Sequence, residues 1–121
     1  MICDLEAGLG TVLRMQSGHA DAVLVVAEPT AKSIEVARRA ARVAESRDVA
    51  VLVVANRVRG EEDLESIRAA FAGHDLVVVP EEPAISRADR DGLAPIDVDA
   101  EAPGVRAITS LTDRLGSAAR V

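Results

Sequence analysis

Residues 22–27, with the sequence Ala-Val-Leu-Val-Val-Ala, are the stretch that decides the fold of this chain. Similar runs occupy residues 49–55 and 76–79, and all three are rich in β-branched residues. Runs that are apolar on both faces and bounded by polar or turn residues are typical of strands in a parallel sheet covered on both sides. The short run at residues 1–3 is interpreted as the end of a fourth strand.

The segments between these runs have the spacing of helices. Thr30 is a suitable N-cap for a helix after the first run, and Gly60 and Gly73 bracket a second helix, with Gly73 as its C′ residue. The apolar positions at helical spacing are Ile34, Ala37, Ala41 and Ala44 in the first helix, and Leu64, Ile67, Ala70 and Phe71 in the second. The alternation predicts a βαβαβ unit with right-handed crossovers.

We therefore predict a single domain over residues 1–121, of the α/β class, with three α/β/α layers and a mainly parallel sheet. Residues 9–16 are predicted to form a short helix before the first full strand. After residue 79 four prolines divide a loop-rich region, in which residues 84–91 have room for one or two helical turns. Residues 105–115 are predicted to form a final amphipathic helix.

The composition excludes several classes of function. The chain has a net charge of −6, one Phe and no Tyr or Trp, so nucleic acid is not an expected partner. Its single cysteine, Cys3, excludes an internal disulfide and a multi-cysteine metal site, which fits a reducing, cytoplasmic location. The longest apolar runs fall far short of the roughly 20 residues that span a bilayer, so no membrane segment is expected.

The sequence Asp4-Leu5-Glu6-Ala7-Gly8 places an acidic residue at the carboxyl end of the stub strand. Open α/β sheets bind ligands at the carboxyl ends of their strands, so Asp4 is a candidate to hold a magnesium-bound water. The alternative is an ordinary strand end, in which Asp4 caps the turn that follows.

Asn56 and Arg57 follow the second long run and are predicted to lie at the same edge of the sheet. A side-chain amide at this position has a donor and an acceptor for the edge of a purine, although a strand-end Asn more often bonds its own loop. Pro80-Glu81-Glu82-Pro83 makes a stiff acidic loop at that edge, which alone indicates only a turn.

Other common motifs are absent from the sequence. The only lysine, Lys32, follows Ala31, so no GxxxxGK[ST] loop exists in these 121 residues. Gly8-Leu9-Gly10 lacks the third glycine of a dinucleotide fingerprint. His19 and His74 have no second ligand at metal-site spacing and are interpreted as loop residues.

Taken together, the segments resemble the carboxyl-terminal half of deviant Walker P-loop ATPases of the MinD/ParA class. Within that class the sequence is most similar to the CooC-type accessory ATPases for nickel insertion into carbon monoxide dehydrogenase. The resemblance covers residues 2 to about 115 and implies a partial P-loop NTPase fold of the SIMIBI type. It rests on Asp4-Leu5-Glu6-Ala7-Gly8, Glu28-Pro29-Thr30-Ala31-Lys32-Ser33, Asn56-Arg57-Val58, Val79-Pro80 and Ala84-Ile85-Ser86-Arg87-Ala88-Asp89-Arg90-Asp91-Gly92.

The resemblance implies ATP or ADP with Mg²⁺ as ligands. Asp4 would match the Walker B or switch II aspartate that holds magnesium through water, and Gly8 the glycine whose amide approaches the γ-phosphate. Asn56, next to Arg57, would match the asparagine that reads adenine. The loop along base and ribose would be Pro80, Glu81 and Glu82, and Glu28-Pro29-Thr30 would lie near the nucleotide or a dimer interface.

The chain also departs from this family, which places its phosphate loop, catalytic lysines and switch I aspartate before the segment that corresponds to Met1. The Cys-x-Cys pair of CooC-type proteins is missing as well, since Cys3 stands alone. Without the phosphate loop most of the catalysis of such enzymes is lost. We expect a truncated, base-binding half that is inactive alone and works as a homodimer or with a chain that supplies the loop.

Two alternatives remain open from the sequence. One is a non-enzymatic α/β interaction module, which self-associates or pairs with a partner chain through the sheet surface left bare by the missing strands. The other is a flavodoxin-like or receiver-like domain, which ranks last because Lys32 lies at a helix start rather than after a late strand.

Overall fold

The computed structural model describes residues 22–118, and the predictions for residues 1–3 and 9–16 concern positions outside this range. Strands and helices alternate and are followed by three helices in succession. In chain order the elements are β1 (Ala22–Ala27), α1 (Ala31–Ser46), β2 (Ala50–Val58), α2 (Glu61–Ala70), β3 (Asp75–Pro80), α3 (Pro83–Asp91), α4 (Pro95–Val98) and α5 (Pro103–Ala118).

The three described strands form one parallel sheet in the order β1-β2-β3. Ala22 pairs with Ala50 at the start of the first ladder, and the register continues without a break to the end of β1. Between β2 and β3 the register shifts after Asn56, so that Pro80 lies opposite Val58. The parallel βαβαβ unit predicted from the apolar runs is confirmed.

Helices α1 and α2 contact each other and pack on the same face of the sheet. The α1 side of this core consists of small residues, Ala37, Ala41 and Ala44, which are buried against the valines of the strands. Small side chains let the helix backbone approach the sheet closely. The valines of the strands can therefore fill the space between helix and sheet without aromatic side chains. Ile67 and Val53 are the largest fully buried side chains in the described residues, and the single phenylalanine, Phe71, is also buried.

The helix ends follow from local chemistry. Thr30 caps α1 as predicted, because its hydroxyl oxygen accepts a hydrogen bond from the Ser33 N–H at 3.2 Å. Gly60 precedes α2. The first turn of α2 carries three acidic residues, whose negative charges interact favourably with the positive end of the helix dipole. Gly73 has a φ of +87°, but it lies two positions after the C-cap Phe71 and is therefore not the predicted C′ residue.

The region after β3 is more helical than the sequence predicts. Helix α3 spans nine residues, α4 is an additional short helix, and α5 begins two residues before the predicted start at residue 105. Each of these helices begins with a proline, which has no N–H to leave unpaired in the first turn. Three of the four prolines interpreted as loop markers are therefore helix starts, and the fourth, Pro80, ends β3.

Helix α5 packs against β3 and forms a second small core with α3, built from Ala84, Ala102 and Val105. Val79 alternates with the core residue Val78, so it lies on the other sheet face, where it is buried. Helices thus flank the sheet on both sides, and the predicted three-layer α/β/α class is confirmed. None of the helices within residues 22–118 has the length and apolar character needed to cross a membrane.

The sheet face opposite α1 and α2 is covered unevenly by the described residues. At its β3 side Val79 is buried, whereas at the β1 side Val26 is 55% exposed. Leu24 on β1 and Leu52 on β2 alternate with core residues of their strands and are half-buried. This part of the sheet therefore presents an apolar surface, which we call the β1 face.

Candidate functional site

The carboxyl ends of the three described strands meet at one edge of the sheet, because the strands are parallel. Glu28 follows β1, Asn56 and Arg57 lie near the end of β2, and Pro80 and Glu81 lie at the end of β3. These five residues thus come together, and we call this region the carboxyl edge.

Asn56 does not follow its strand, as the sequence suggested, but lies inside it. Strand β2 extends to Val58 because a bulge at Arg57 absorbs the register shift between Asn56 and Val58. Arg57 has a φ of +59°, in the left-handed region that non-glycine residues rarely adopt. Because of the bulge, β2 continues past Asn56, the polar residue that the apolar pattern predicted to lie just after the strand.

Arg57 links all three strand ends through its guanidinium group. Its Nη1 lies 3.7 Å from Glu28 Oε1, and its Nη2 lies 3.3 Å from Glu81 Oε1. All three side chains are substantially exposed to solvent, so these ion pairs contribute little to stability. They nevertheless orient the guanidinium across the carboxyl edge, with its charge compensated by two carboxylates.

The side-chain amide of Asn56 forms no hydrogen bond with any residue of the described part of the chain. Asn56 is half-buried, and it alternates with the core residue Ala55, which places it on the sheet face opposite α1 and α2. The alternative considered from the sequence was an Asn whose side chain bonds its own loop backbone, and the described residues show no such bond. Its amide donor and acceptor are available to a ligand.

Adjacent glutamates in the Pro80 loop have different surroundings. The Glu81 N–H donates to the Val58 carbonyl at 3.0 Å, and its carboxylate faces Arg57 and Arg59 at the carboxyl edge. The Glu82 carboxylate instead accepts from the Ala84 N–H at 3.4 Å and from the Gly104 N–H at 2.8 Å. Glu82 therefore joins α3 to α5, and its carboxylate is occupied by the protein itself.

The turn after β1 is held by its own hydrogen bonds. The Glu28 N–H donates to Ser33 Oγ at 2.9 Å, and the Thr30 N–H donates to the Glu28 carbonyl at 2.8 Å. These bonds fix the direction in which the chain leaves β1 and so position Glu28 beside Arg57. Glu28, Pro29 and Thr30 thus lie at the same edge as Asn56.

Sequence reasoning missed a groove beside the carboxyl edge, with a volume of about 610 Å³. Val58, Pro80 and Pro83 contribute its apolar surface. The charged and polar lining residues are Arg59, Glu81, Ser86, Arg87 and Arg90. Ser86, Arg87 and Arg90 belong to α3, and no local pattern in the sequence links them to Arg59.

The amino-terminal side of the sheet has one polar contact of note. His74 Nε2 lies 2.6 Å from Glu45 Oε1, and its ring packs edge-on against Phe71. This contact joins the end of α1 to the start of β3. Within residues 22–118 no group of three or more His, Cys, Asp or Glu side chains is arranged to hold a metal ion.

Two of the predicted site residues, Asp4 and Gly8, lie outside the described residues, and so does His19. The implied magnesium position at Asp4 therefore stays a prediction. Neither the protein-family models nor the curated proteins contain a match to this sequence. The residues that form the carboxyl edge are therefore the basis for its function proposed below.

Proposed function

We propose that this chain binds the adenosine portion of ATP or ADP at the carboxyl edge, as the base-binding half of an ATPase of the MinD/ParA class. The observation that carries the proposal is the amide of Asn56, which has no hydrogen-bond partner among residues 22–118 and lies at the carboxyl end of a parallel sheet. The sequence resemblance to CooC-type ATPases agrees with this assignment, and nickel insertion is one pathway among several that share the motifs.

The residues around Asn56 fit a purine. A carboxamide has a donor and an acceptor side by side, which complements the amino group and ring nitrogen of adenine. Pro80 contributes a partly exposed apolar surface, and the Arg57 guanidinium is a planar group of the kind that stacks on aromatic rings. An adenine base bound to Asn56 would contact both β2 and the Pro80 loop.

The phosphates have less to bind in this chain. No Gly-Lys pair occurs in the 121 residues, and the Arg57 charge is already compensated by Glu28 and Glu81. Magnesium would belong to Asp4, and the loop that clamps the phosphates would belong to a different chain. The isolated chain is thus a weak binder in which the base supplies most of the affinity.

A titration followed by ¹H–¹⁵N NMR tests this proposal. Adenosine and ADP are expected to shift the amides around Asn56 and Pro80 with similar Kd values, whereas guanosine binds more weakly. Asn56→Asp replaces the amide donor with an acceptor and should raise the Kd for adenosine roughly fivefold or more. Arg39→Ala, which removes an exposed ion pair on α1, is the control and should leave the Kd unchanged.

Two results would contradict this assignment. One is an absence of shifts at the carboxyl edge at millimolar adenosine. The other is equal binding by wild type and Asn56→Asp, which would place any nucleotide elsewhere.

A second candidate function, a non-enzymatic module that self-associates, is favoured by the β1 face. Val26 is 55% exposed there beside the half-buried Leu24 and Leu52, and β1 is an edge of the described sheet. Exposed apolar surface next to an open strand edge promotes pairing with another chain.

Sedimentation velocity distinguishes this second candidate. Self-association that rises with concentration and is lost in Val26→Lys would support it. Val36→Lys on α1, where the valine is 40% exposed, is the matched control and should behave as wild type. A clean monomer at high concentration would count against this function without affecting the nucleotide proposal.

A further inference from the structure

The groove beside the carboxyl edge concentrates positive charge in an acidic chain. Arg59 comes from the β2–α2 connection, whereas Arg87 and Arg90 come from α3 on the other side. Against these three arginines the lining contains one acidic residue, Glu81, so its formal charge is +2 while the whole chain carries −6.

The arginines of this groove differ in how far they are already paired. Arg59 Nε lies 3.8 Å from Glu81 Oε2 and 3.6 Å from Asp63 Oδ2. Among the described residues, Arg90 forms an ion pair only with its sequence neighbour Asp91, at 3.4 Å. The Arg87 side chain forms no ion pair or hydrogen bond within the described part of the chain. The α3 side of the groove therefore has charge available for an anionic partner.

The shape of the groove decides between a small molecule and a chain. Small-molecule sites enclose most of their ligand, whereas this groove is open to solvent and Val58 is its only buried lining residue. Its lining combines the apolar surface of Val58, Pro80 and Pro83 with the charged groups of Arg59, Glu81, Arg87 and Arg90. An extended peptide can contact such an open, mixed surface along its length, whereas a compact ligand would stay largely exposed there.

We propose that this groove binds an acidic segment of a partner protein in an extended conformation. Carboxylates of the segment pair with Arg87 and Arg90, and Ser86 donates a further hydrogen bond from its hydroxyl. The groove shares Pro80 and Glu81 with the nucleotide proposal, but it needs no nucleotide and stands independently of that proposal.

The test is an NMR titration with a capped pentapeptide, Glu-Thr-Glu-Thr-Glu, and its lysine counterpart. The acidic peptide is expected to give saturable shifts of α3 and Pro80-loop amides that weaken with added salt. The double variant Arg87→Gln/Arg90→Gln should raise its Kd by roughly fivefold or more. The control, Arg39→Gln/Arg68→Gln, removes the same charge from exposed pairs on α1 and α2 and should leave the Kd within about twofold.

Three outcomes would overturn the proposal. The first is an acidic peptide that gives no saturable shifts in the groove, and the second is equal binding by wild type and Arg87→Gln/Arg90→Gln. The third is inorganic phosphate that displaces the peptide at equal concentration, which would assign the groove to small anions. Adenosine titrated into Arg87→Gln/Arg90→Gln separates this proposal from the nucleotide proposal, because its Kd should match that of wild type.

Discussion

Glu81 and Glu82 are adjacent and chemically identical, yet they act in different parts of the molecule. Glu81 faces two arginines at the carboxyl edge, whereas Glu82 accepts hydrogen bonds from the N–H groups of two helix starts. The sequence predicts an acidic loop but cannot distinguish the two, because Gly104, the partner of Glu82 at the shorter distance, is 22 residues away. Only the docking of α5 beside β3 reveals that Glu82 is structural.

Glu82→Ala should therefore destabilise the fold more than Glu81→Ala. Loss of the Glu82 carboxylate leaves the N–H groups of Ala84 and Gly104 without their acceptor, at a cost of about 1–3 kcal/mol in the free energy of unfolding. Glu81→Ala removes only exposed ion pairs, worth less than about 1 kcal/mol. Urea denaturation of both variants measures the difference, and equal stabilities would contradict the assigned roles.

Gly104→Ala tests the same junction from the other side. A Cβ atom at Gly104 would lie 2.5 Å from Glu82 Cβ and 3.3 Å from the Pro80 carbonyl oxygen. The overpacking cost of about 1–3 kcal/mol exceeds the gain of under about 1 kcal/mol that alanine brings to a helix. We expect a net loss of stability in thermal unfolding. Gly60→Ala, where nothing lies within 4 Å, is the control and should change stability by less.

The bulge at Arg57 gives a third prediction at this scale. Arg57→Ala and Arg57→Gly both remove the ion pairs to Glu28 and Glu81, so their comparison isolates the backbone. Because φ is +59° here, the glycine variant should be the more stable by about 1 kcal/mol. Chemical denaturation of the two proteins measures this difference, and an alanine variant of equal or greater stability would argue against a left-handed residue.

At the scale of elements, the sequence predicts the βαβαβ unit well because its signals are local. The β-branched runs mark the strands, and alanines at helical spacing mark the buried side of α1. The end of β2 was placed too early because a bulge continues the strand through Asn56 and Arg57. Helix α4 was missed because a four-residue helix after Pro95 carries no periodic signal.

The docking of α2 on the sheet depends on one large side chain. Ile67 is fully buried, and truncation to alanine should cost about 2–5 kcal/mol in the free energy of unfolding because it leaves a cavity between α2 and the sheet. Ile108→Ala on α5, where the isoleucine is 43% exposed, is the control and should cost less than about 1 kcal/mol. Similar losses in both variants, measured by urea denaturation, would contradict this packing.

At the scale of the whole molecule, parallel topology explains why part of the site was predictable. Asn56 and Arg57 are distant in sequence from Glu81, but both sites follow predicted strands, so all three residues were expected at one edge. The cationic groove was not predictable, since its formation depends on how α3 is oriented relative to the β2–α2 connection. Arg87 and Arg90 are separated from Arg59 by an entire strand and helix, and no local pattern links them.

As a base-binding half alone, this chain is not expected to hydrolyse ATP. Phosphoryl transfer depends on amides and cations fixed around the phosphates, and the sequence has no Gly-Lys pair to provide them. Purified protein incubated with ATP and Mg²⁺ should therefore release phosphate no faster than the buffer blank. Asp4→Ala serves as the control, because it removes the predicted magnesium ligand and should give the same blank rate. Turnover that persists through purification to homogeneity would show that this chain supplies its own catalytic groups, and would overturn its assignment as a base-binding half alone.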